Sequence, residues 1–193
     1  MPEDDDDAGL MQRLAGGDDS ALSPLMRRWK TPVIRFAYRY LGNTADAEEV
    51  AAETFVKVHR HRRRYRPERG KFSTWLFAIA ANEAKMRLRW RKRHPETLEE
   101  DPQAQSPEGG GGRTPSGEAD LHELGAALQD AIGQLPHDLR AAFLLYEVEG
   151  LSYRDAAISL GCSEKALERR LARARDLLKE DLTASWGTRN EFV

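Results

Sequence analysis

The stretch Ser152–Arg175 reads SYRDAAISLGCSEKALERRLARAR, and it decides the fold of the C-terminal part of the chain. Gly161 separates two short helical segments, and arginine recurs along the second. Ser152 and Ser163 stand where the two segments begin, a position that favours side chains able to accept hydrogen bonds from free backbone N–H groups. Two helices around such a turn are typical of a helix-turn-helix, which places its second helix in the major groove of DNA.

Charge is unevenly distributed along the chain. The 193 residues suffice for one ordinary domain or two small ones, and the net charge is only −2. From Lys57 to Arg93 the local balance is +12, whereas Pro95–Asp120 carries −6 and Glu3–Asp7 is wholly acidic. Basic blocks attract phosphate, so the distribution points to nucleic acid more than the net charge does.

Several classes of protein are excluded or disfavoured. Cys162 is the single cysteine, so neither an internal disulfide nor a cysteine-based zinc site is possible. His59, His61 and His94 lack metal-ligand partners at suitable spacing, and no nucleophile–base pair or phosphate-binding glycine loop is present. We therefore expect no enzyme activity, cofactor or metal. No apolar run could span a membrane and the acidic N-terminus is unlike a secretory signal, so a cytoplasmic protein without membrane insertion is expected.

The polar, glycine-rich segment Gly109–Gly117 cannot form a core helix or strand. We interpret residues 95–120 as a flexible acidic linker. It divides the chain into helical domains of residues 8–94 and 121–184, followed by a tail at 185–193. The expected fold is all-α, with two small domains joined by the linker.

Helices of the first domain are expected at Asp19–Trp29, at Pro32–Leu41, from Asn43 or Thr44 to Arg64, and from Phe72 or Ser73 to Arg93. Pro67 and Gly70 predict a loop at Tyr65–Lys71. The run Asp4–Asp7 is interpreted as a solvated tail. One stripe of the third helix is expected to face the core: Ala47, Val50, Ala51, Phe55 and Val58.

Helices of the second domain are expected at Leu121–Gln134, from Pro136 to Glu149, from Ser152 to Gly161, and from Ser163 onward. On the last helix Leu167, Leu171, Ala174 and Leu178 form the predicted buried stripe. Cys162, in the turn, is interpreted as a small buried residue.

One face of the helix from Phe72 combines an aromatic ring, an amide and two cations: Trp75, Ala78, Asn82, Lys85 and Arg89. Aromatic rings stack on unpaired bases, an amide can read a base edge, and cations hold phosphates. This combination favours opened DNA over intact duplex. A core role for Trp75 remains an equal alternative, and Phe72 is expected to be a core residue. The run Arg87–Arg93 is more basic than solubility requires.

The chain resembles the extracytoplasmic-function (ECF) group of sigma-70 family factors. Residues 46–58 and 70–82 resemble sigma region 2. Leu135-Pro136, Arg140 and residues 150–157 and 171–175 resemble region 4. The resemblance implies an initiation subunit that binds core RNA polymerase and promoter DNA and is controlled by an anti-sigma factor, often membrane-bound.

The resemblance also implies roles for particular residues. It implies that Asp46, Glu49 and Glu53 contact the β′ clamp helices of the polymerase. The β flap of the polymerase is a further expected contact. Recognition and melting of the −10 element fall to Arg66, Lys71, Phe72, Trp75, Asn82, Lys85 and Arg89. Recognition of the −35 element falls to Arg154, Ser163, Lys165, Glu168, Arg169 and Arg173.

Departures from the family pattern keep alternatives open. Ala52 replaces a usual glutamine of the polymerase face, and Glu168 replaces a usual lysine of the recognition helix. The −35 sequence that the chain reads is therefore left open. The alternatives are a stand-alone helix-turn-helix regulator and a sigma mimic that sequesters an anti-sigma factor. The sequence assigns no function to the tail and identifies neither the regulon nor the inducing signal.

Overall fold

The computed structural model describes residues 4–94 and 117–187, and every regular element in these two ranges is helical, as predicted. The helices are α1 (Asp4–Ala15), α2 (Leu22–Leu41), α3 (Thr44–Arg60), α4 (Phe72–Arg93), α5 (Gly117–Gln134), α6 (His137–Phe143), α7 (Tyr153–Ser159) and α8 (Glu164–Gly187). A π-helical segment, Leu144–Val148, continues α6. Short 3₁₀ turns lie at Asp19–Ala21, Arg62–Arg64 and Pro67–Arg69.

Helices α1–α4 form the N-terminal domain around an aromatic core. α2 packs against α3 and α4, and α1 packs against α2 and α4. The ring of Trp29 meets those of Phe72 and Phe77 edge-on, each at 6.1 Å between centroids, and Phe36 lies 5.5 Å from Phe77. Each edge-to-face pair adds about 0.5–1.5 kcal/mol to the burial of its rings. The start of α4 is therefore fixed firmly in place by its own phenylalanines.

Helix α2 runs without interruption from Leu22 to Leu41, so the prediction of two helices separated before Pro32 is wrong. Proline removes one backbone hydrogen bond and usually breaks a helix. Here Leu25, Trp29, Val33 and Phe36 form one buried stripe on both sides of Pro32. Continuing the helix buries both halves of that stripe, which offsets the lost bond.

The acidic N-terminal run is part of the fold from Asp4 onward, so its interpretation as a solvated tail is wrong. Asp7 is completely buried: its Oδ2 accepts a hydrogen bond from the Trp29 indole at 2.7 Å, and Oδ1 is paired with Arg28. A buried carboxylate requires such partners, because an unpaired charge in the interior is very costly. Asp7 therefore fastens α1 to α2.

The predicted caps and stripes of α3, α7 and α8 are confirmed. Asn43 Oδ1 accepts from the Asp46 N–H at 2.8 Å. Ser152 Oγ accepts from the Asp155 N–H at 3.1 Å, and Ser163 Oγ from the Ala166 N–H at 3.2 Å. All predicted core residues of α3 and α8 are buried.

Helices α5–α8 form the C-terminal domain, in which α8 packs against α5, α6 and α7. α5 begins at Gly117, within the predicted linker, and α8 continues to Gly187, within the predicted tail. The rest of both predictions, residues 95–116 and 188–193, lies outside the described residues.

The two domains touch, and their buried side chains form one continuous cluster. α7 packs on α4, and α5 packs on α2. Arg140, only 6% exposed, donates to the carbonyl oxygens of Tyr40 in one domain and of Leu135 and Gly133 in the other. Its guanidinium also lies 5.4 Å from the centre of the Tyr40 ring. This arginine is the most deeply buried cationic link between the domains among the described residues.

Candidate nucleic-acid interface

An aromatic cluster lies where the 65–71 loop meets α4. The rings of Tyr65 and Trp75 are 5.6 Å apart, and Phe72 lies 6.0 Å from Tyr65 and 6.3 Å from Trp75. Phe72 is completely buried, so it supports the site from beneath and offers no surface to DNA; the expectation that it is a core residue is confirmed. Trp75 is half-buried, packed on the core yet partly open to solvent. Both roles considered for this tryptophan are therefore compatible with its position.

The predicted polar face of α4 lies beyond this cluster. Asn82 and Arg89 are exposed. Lys85 is half-buried, and its Nζ lies 3.4 Å from Asp138 Oδ1 of α6. An exposed amide and cation on the same helix as a partly open indole match the chemistry expected for an unpaired strand.

The 65–71 loop forms one wall of a cavity of about 410 Å³. Gly70, Lys71 and neighbouring loop residues line it on one side, and Arg154, Asp155 and Ile158 of α7 line the other. The loop is held in shape by hydrogen bonds from Arg66 Nη1 to the carbonyl oxygens of Arg63 and Tyr65, at 2.7 and 3.1 Å. The volume of the cavity is in the range of small-ligand pockets.

A second cavity, of about 400 Å³, is lined entirely by the consecutive basic residues Arg60, His61, Arg62, Arg63 and Arg64, which we call the cationic turn. Arg62 is anchored by a 2.8 Å hydrogen bond to the His59 carbonyl, whereas Arg60, Arg63 and Arg64 are exposed. No prediction from the sequence rested on this turn, although its five successive basic residues are a visible signal. It leads directly into Tyr65 and so adds positive charge beside the aromatic cluster.

The basic run at the end of α4 divides into two groups. Arg87 and Arg91 turn toward α3, where their nitrogens lie 2.6 and 3.0 Å from the Asp46 carboxylate. Arg89, Lys92 and Arg93 are exposed. Only the second group is available to phosphates, so the basic run serves partly to hold α4 on α3.

Asp46 does not lie on an exposed face with Glu49 and Glu53, which corrects the predicted acidic surface. It is 5% exposed and its two carboxylate oxygens are engaged by Arg87 and Arg91. Glu49, paired with Arg87 at 2.9 Å, and Glu53 are exposed. A protein partner approaching α3 can therefore reach Glu49 and Glu53 directly, and Asp46 positions the helix beneath them.

The recognition helix α8 presents a charged stripe to solvent. Lys165, Glu168, Arg169 and Arg173 are all exposed, and the opposite side of the helix is buried. Ser163 caps the helix, and Arg154 of α7 is also exposed. The structure thus places Lys165, Glu168, Arg169 and Arg173 on one exposed stripe of α8, whereas Arg154 lines the loop cavity.

Within the described residues, no group of three or more potential ligands is placed to hold a metal ion, and no helix is long and apolar enough to cross a membrane. Residues 25–94 match the sigma-70 region 2 model, and residues 125–178 match sigma-70 region 4. The ECF RNA polymerase sigma-E factor of Haemophilus influenzae is 34% identical over 94% of this chain and 98% of its own length.

The chain belongs to the ECF sigma factors of the sigma-70 family. The sigma factor therefore acts in transcription initiation as a DNA-binding factor and not as an enzyme, which confirms the sequence-based prediction.

Two solved structures support this assignment of fold. CnrH, solved in complex with the cytosolic domain of CnrY, has a TM-score of 0.67 and 27% identity, covering 91% of this sigma factor and 96% of that chain. The sigma factor RpoE, solved with the anti-sigma factor NepR from Bartonella quintana, has a TM-score of 0.63 and 25% identity over 83% and 96% of the two chains.

Proposed function

We propose that the aromatic cluster, the 65–71 loop and the polar face of α4 together capture the melted −10 strand. The observation that carries this proposal is the contact of the half-open Trp75 with Tyr65, which lines the loop cavity, together with exposed Asn82 and Arg89 farther along the same helix. A base leaving the duplex would stack on the indole and lie against the 65–71 loop, while Lys71, Lys85, Arg66 and Arg89 hold the strand backbone. Extracting a base costs a few kcal/mol, so a shaped pocket adds selectivity.

The C-terminal domain would read the −35 element through α8. Lys165, Arg169 and Arg173 lie one turn apart on the exposed stripe, where arginine can make bidentate contacts to guanine worth about 1–3 kcal/mol each. Glu168 on the same stripe repels phosphate but can accept from the amino group of cytosine. Arg154 would hold a phosphate, and Ser163 would keep the first turn of α8 in place.

Contact with core RNA polymerase would use Glu49 and Glu53 of α3 against the β′ clamp helices, with the C-terminal domain near the β flap. An anti-sigma factor is the second proposed partner, supported by the complex of RpoE with the anti-sigma factor NepR. The sigma factor would act in the cytoplasm together with the polymerase. A membrane-anchored anti-sigma factor would hold it at the membrane until release.

The test uses Trp75→Ala and Asn82→Ala, with Trp90→Ala and Gln12→Ala as matched substitutions away from the cavity. The first two variants should still bind core polymerase but lose permanganate reactivity of the −10 bases in the open complex. Unchanged reactivity in both would refute the proposed −10 site. Run-off transcription on randomised promoters would identify the elements read: paired enriched motifs are expected, and polymerase binding without transcription would favour a sigma mimic.

A further inference from the structure

We propose that the C-terminal domain regulates the −10 site of the same molecule: in the closed form seen here α7 covers the loop cavity and the start of α4, and strand capture requires its release. This inference rests on the proposed function of that cavity. The helix-turn-helix then has two functional surfaces. The charged stripe of α8 binds DNA, and α7 binds the N-terminal domain of the same chain.

Two hydrogen bonds, one buried and one partly buried, join α7 to the first turn of α4. Thr74 Oγ1 donates to Asp155 Oδ1 at 2.9 Å, and Ser159 Oγ donates to the Thr74 carbonyl at 2.8 Å. Thr74 is 2% exposed and Ser159 6%. Buried polar groups that are paired across an interface specify its geometry, because a shifted arrangement leaves them unsatisfied.

The position of α7 conflicts with strand capture. Arg154, Asp155 and Ile158 complete the wall of the cavity that Gly70 and Lys71 begin. α7 is also hydrogen-bonded to Thr74, next to Trp75, so a strand that reaches both Lys71 and Trp75 competes with α7 for the first turn of α4. Arg154 is also proposed to hold a phosphate of the −35 element. It cannot do so while it lines the loop cavity of the N-terminal domain, because the −10 and −35 elements are separate stretches of DNA.

A second set of contacts closes the other end of the interface. Lys85, assigned to the strand backbone, is occupied by Asp138 at 3.4 Å. Gln129 Nε2 donates to the carbonyl oxygens of Arg39 and Tyr38 at 3.0 and 3.4 Å. An incoming phosphate therefore competes with Asp138 for Lys85, so that DNA binding and opening favour each other.

The consequence for affinity follows from population arithmetic. If only the open form binds the −10 strand, the apparent Kd equals the intrinsic Kd divided by the open fraction. A net hydrogen bond corresponds to roughly a fivefold change in an equilibrium. As long as the closed form predominates, removing either of the two hydrogen bonds between Thr74 and α7 should therefore lower the apparent Kd for the −10 strand by roughly fivefold.

A disulfide between Thr74→Cys and Asp155→Cys in a Cys162→Ser background is designed to lock the closed form, because the side chains of these two residues meet across the interface. Binding of the full chain to a fluorescent single-stranded −10 oligonucleotide is measured by anisotropy, and run-off transcription is measured with core polymerase. The oxidised protein should bind at least tenfold more weakly and initiate poorly, and reduction should restore both. Each single cysteine variant, treated with the same oxidant, is the control.

Thr74→Val and Ser159→Ala test the opposite direction, since each removes one interdomain bond. Both should bind the oligonucleotide several-fold more tightly than the unchanged protein. Thr54→Val is the matched control, because Thr54 is equally buried and its hydroxyl donates to the Val50 carbonyl within α3.

Equal activity of the disulfide-linked and reduced proteins, or unchanged affinity of both Thr74→Val and Ser159→Ala, would overturn the regulatory role of α7. These results leave the proposed function standing as long as the reduced protein directs transcription. Absence of transcription by the unmodified protein would instead remove the proposed function itself.

Discussion

Replacing Glu149 by glutamine is expected to remove a pH dependence from the closed form. Glu149 follows the π-helical segment of the C-terminal domain and is 12% exposed, with Oε1 3.6 Å from Arg39 Nη1 of α2 and no hydrogen bond to that oxygen. Burial raises the pKa of this carboxyl from 4.5 to about 7, and the nearby charges of Arg39 and Arg35 lower it only in part.

The size of the effect follows from the difference between the buried and the solvated carboxyl. A pKa raised from 4.5 to about 7 corresponds to about 3 kcal/mol. Because the raised pKa favours the protonated group in the closed form, its contribution is complete below pH 4.5 and is lost as the pH rises through about 7. Glutamine stays neutral, so Glu149→Gln should be more stable than the unchanged protein by up to about 3 kcal/mol at pH 8, with little difference at pH 4.5.

Two measurements check this reasoning. The Glu149 carboxyl is titrated by ¹³C NMR, and the free energy of unfolding is compared in urea at several pH values. Glu180→Gln, on the exposed side of α8, is the control substitution. A carboxyl that titrates near 4.5, or parallel pH profiles for Glu149→Gln and the unchanged protein, would refute the argument.

Three further predictions concern arginines and the recognition helix. Arg140→Met should lower the free energy of unfolding in urea by about 3 kcal/mol, since it leaves buried carbonyl groups unpaired. Arg175→Met is the control: it breaks a solvent-exposed pair with a glutamate and should lower the same free energy by less than about 1 kcal/mol. Neutralising Arg63 and Arg64 to glutamine should reduce the salt slope of binding to a melted promoter by about 1.4, whereas an unchanged slope would show that the cationic turn makes no phosphate contact. Glu168→Lys should change the −35 motif enriched from a randomised library, and an identical motif would show that this side chain reads no base.

Local signals in the sequence predicted most of the helices. Asn43, Ser152 and Ser163 are caps whose chemistry acts within four residues, so sequence alone located them. The buried stripes of α3 and α8 follow equally from spacing. Pro32 and Asp7 were misinterpreted because their outcome depends on distant partners: the stripe that continues past Pro32, and the indole and guanidinium that accommodate the Asp7 carboxylate.

The candidate site was predictable in its chemistry but not in its arrangement. The spacing on α4 placed Asn82 and Arg89 on one exposed face. Helical spacing could not show that Asp46 turns inward, because its partners Arg87 and Arg91 lie more than forty residues away. The contact of Thr74 with α7 likewise spans some eighty residues and leaves no periodic trace in the sequence.

The contact between α4 and α7 has a consequence for how the molecule behaves on dilution. The two domains are parts of one polypeptide, joined by the 22 residues 95–116. Covalent attachment of this kind gives an effective concentration on the order of millimolar, whatever the number of molecules in the cell. A contact too weak to hold two separate proteins together can therefore stay formed here. Its occupancy would be the same in a cell with ten copies as in one with ten thousand.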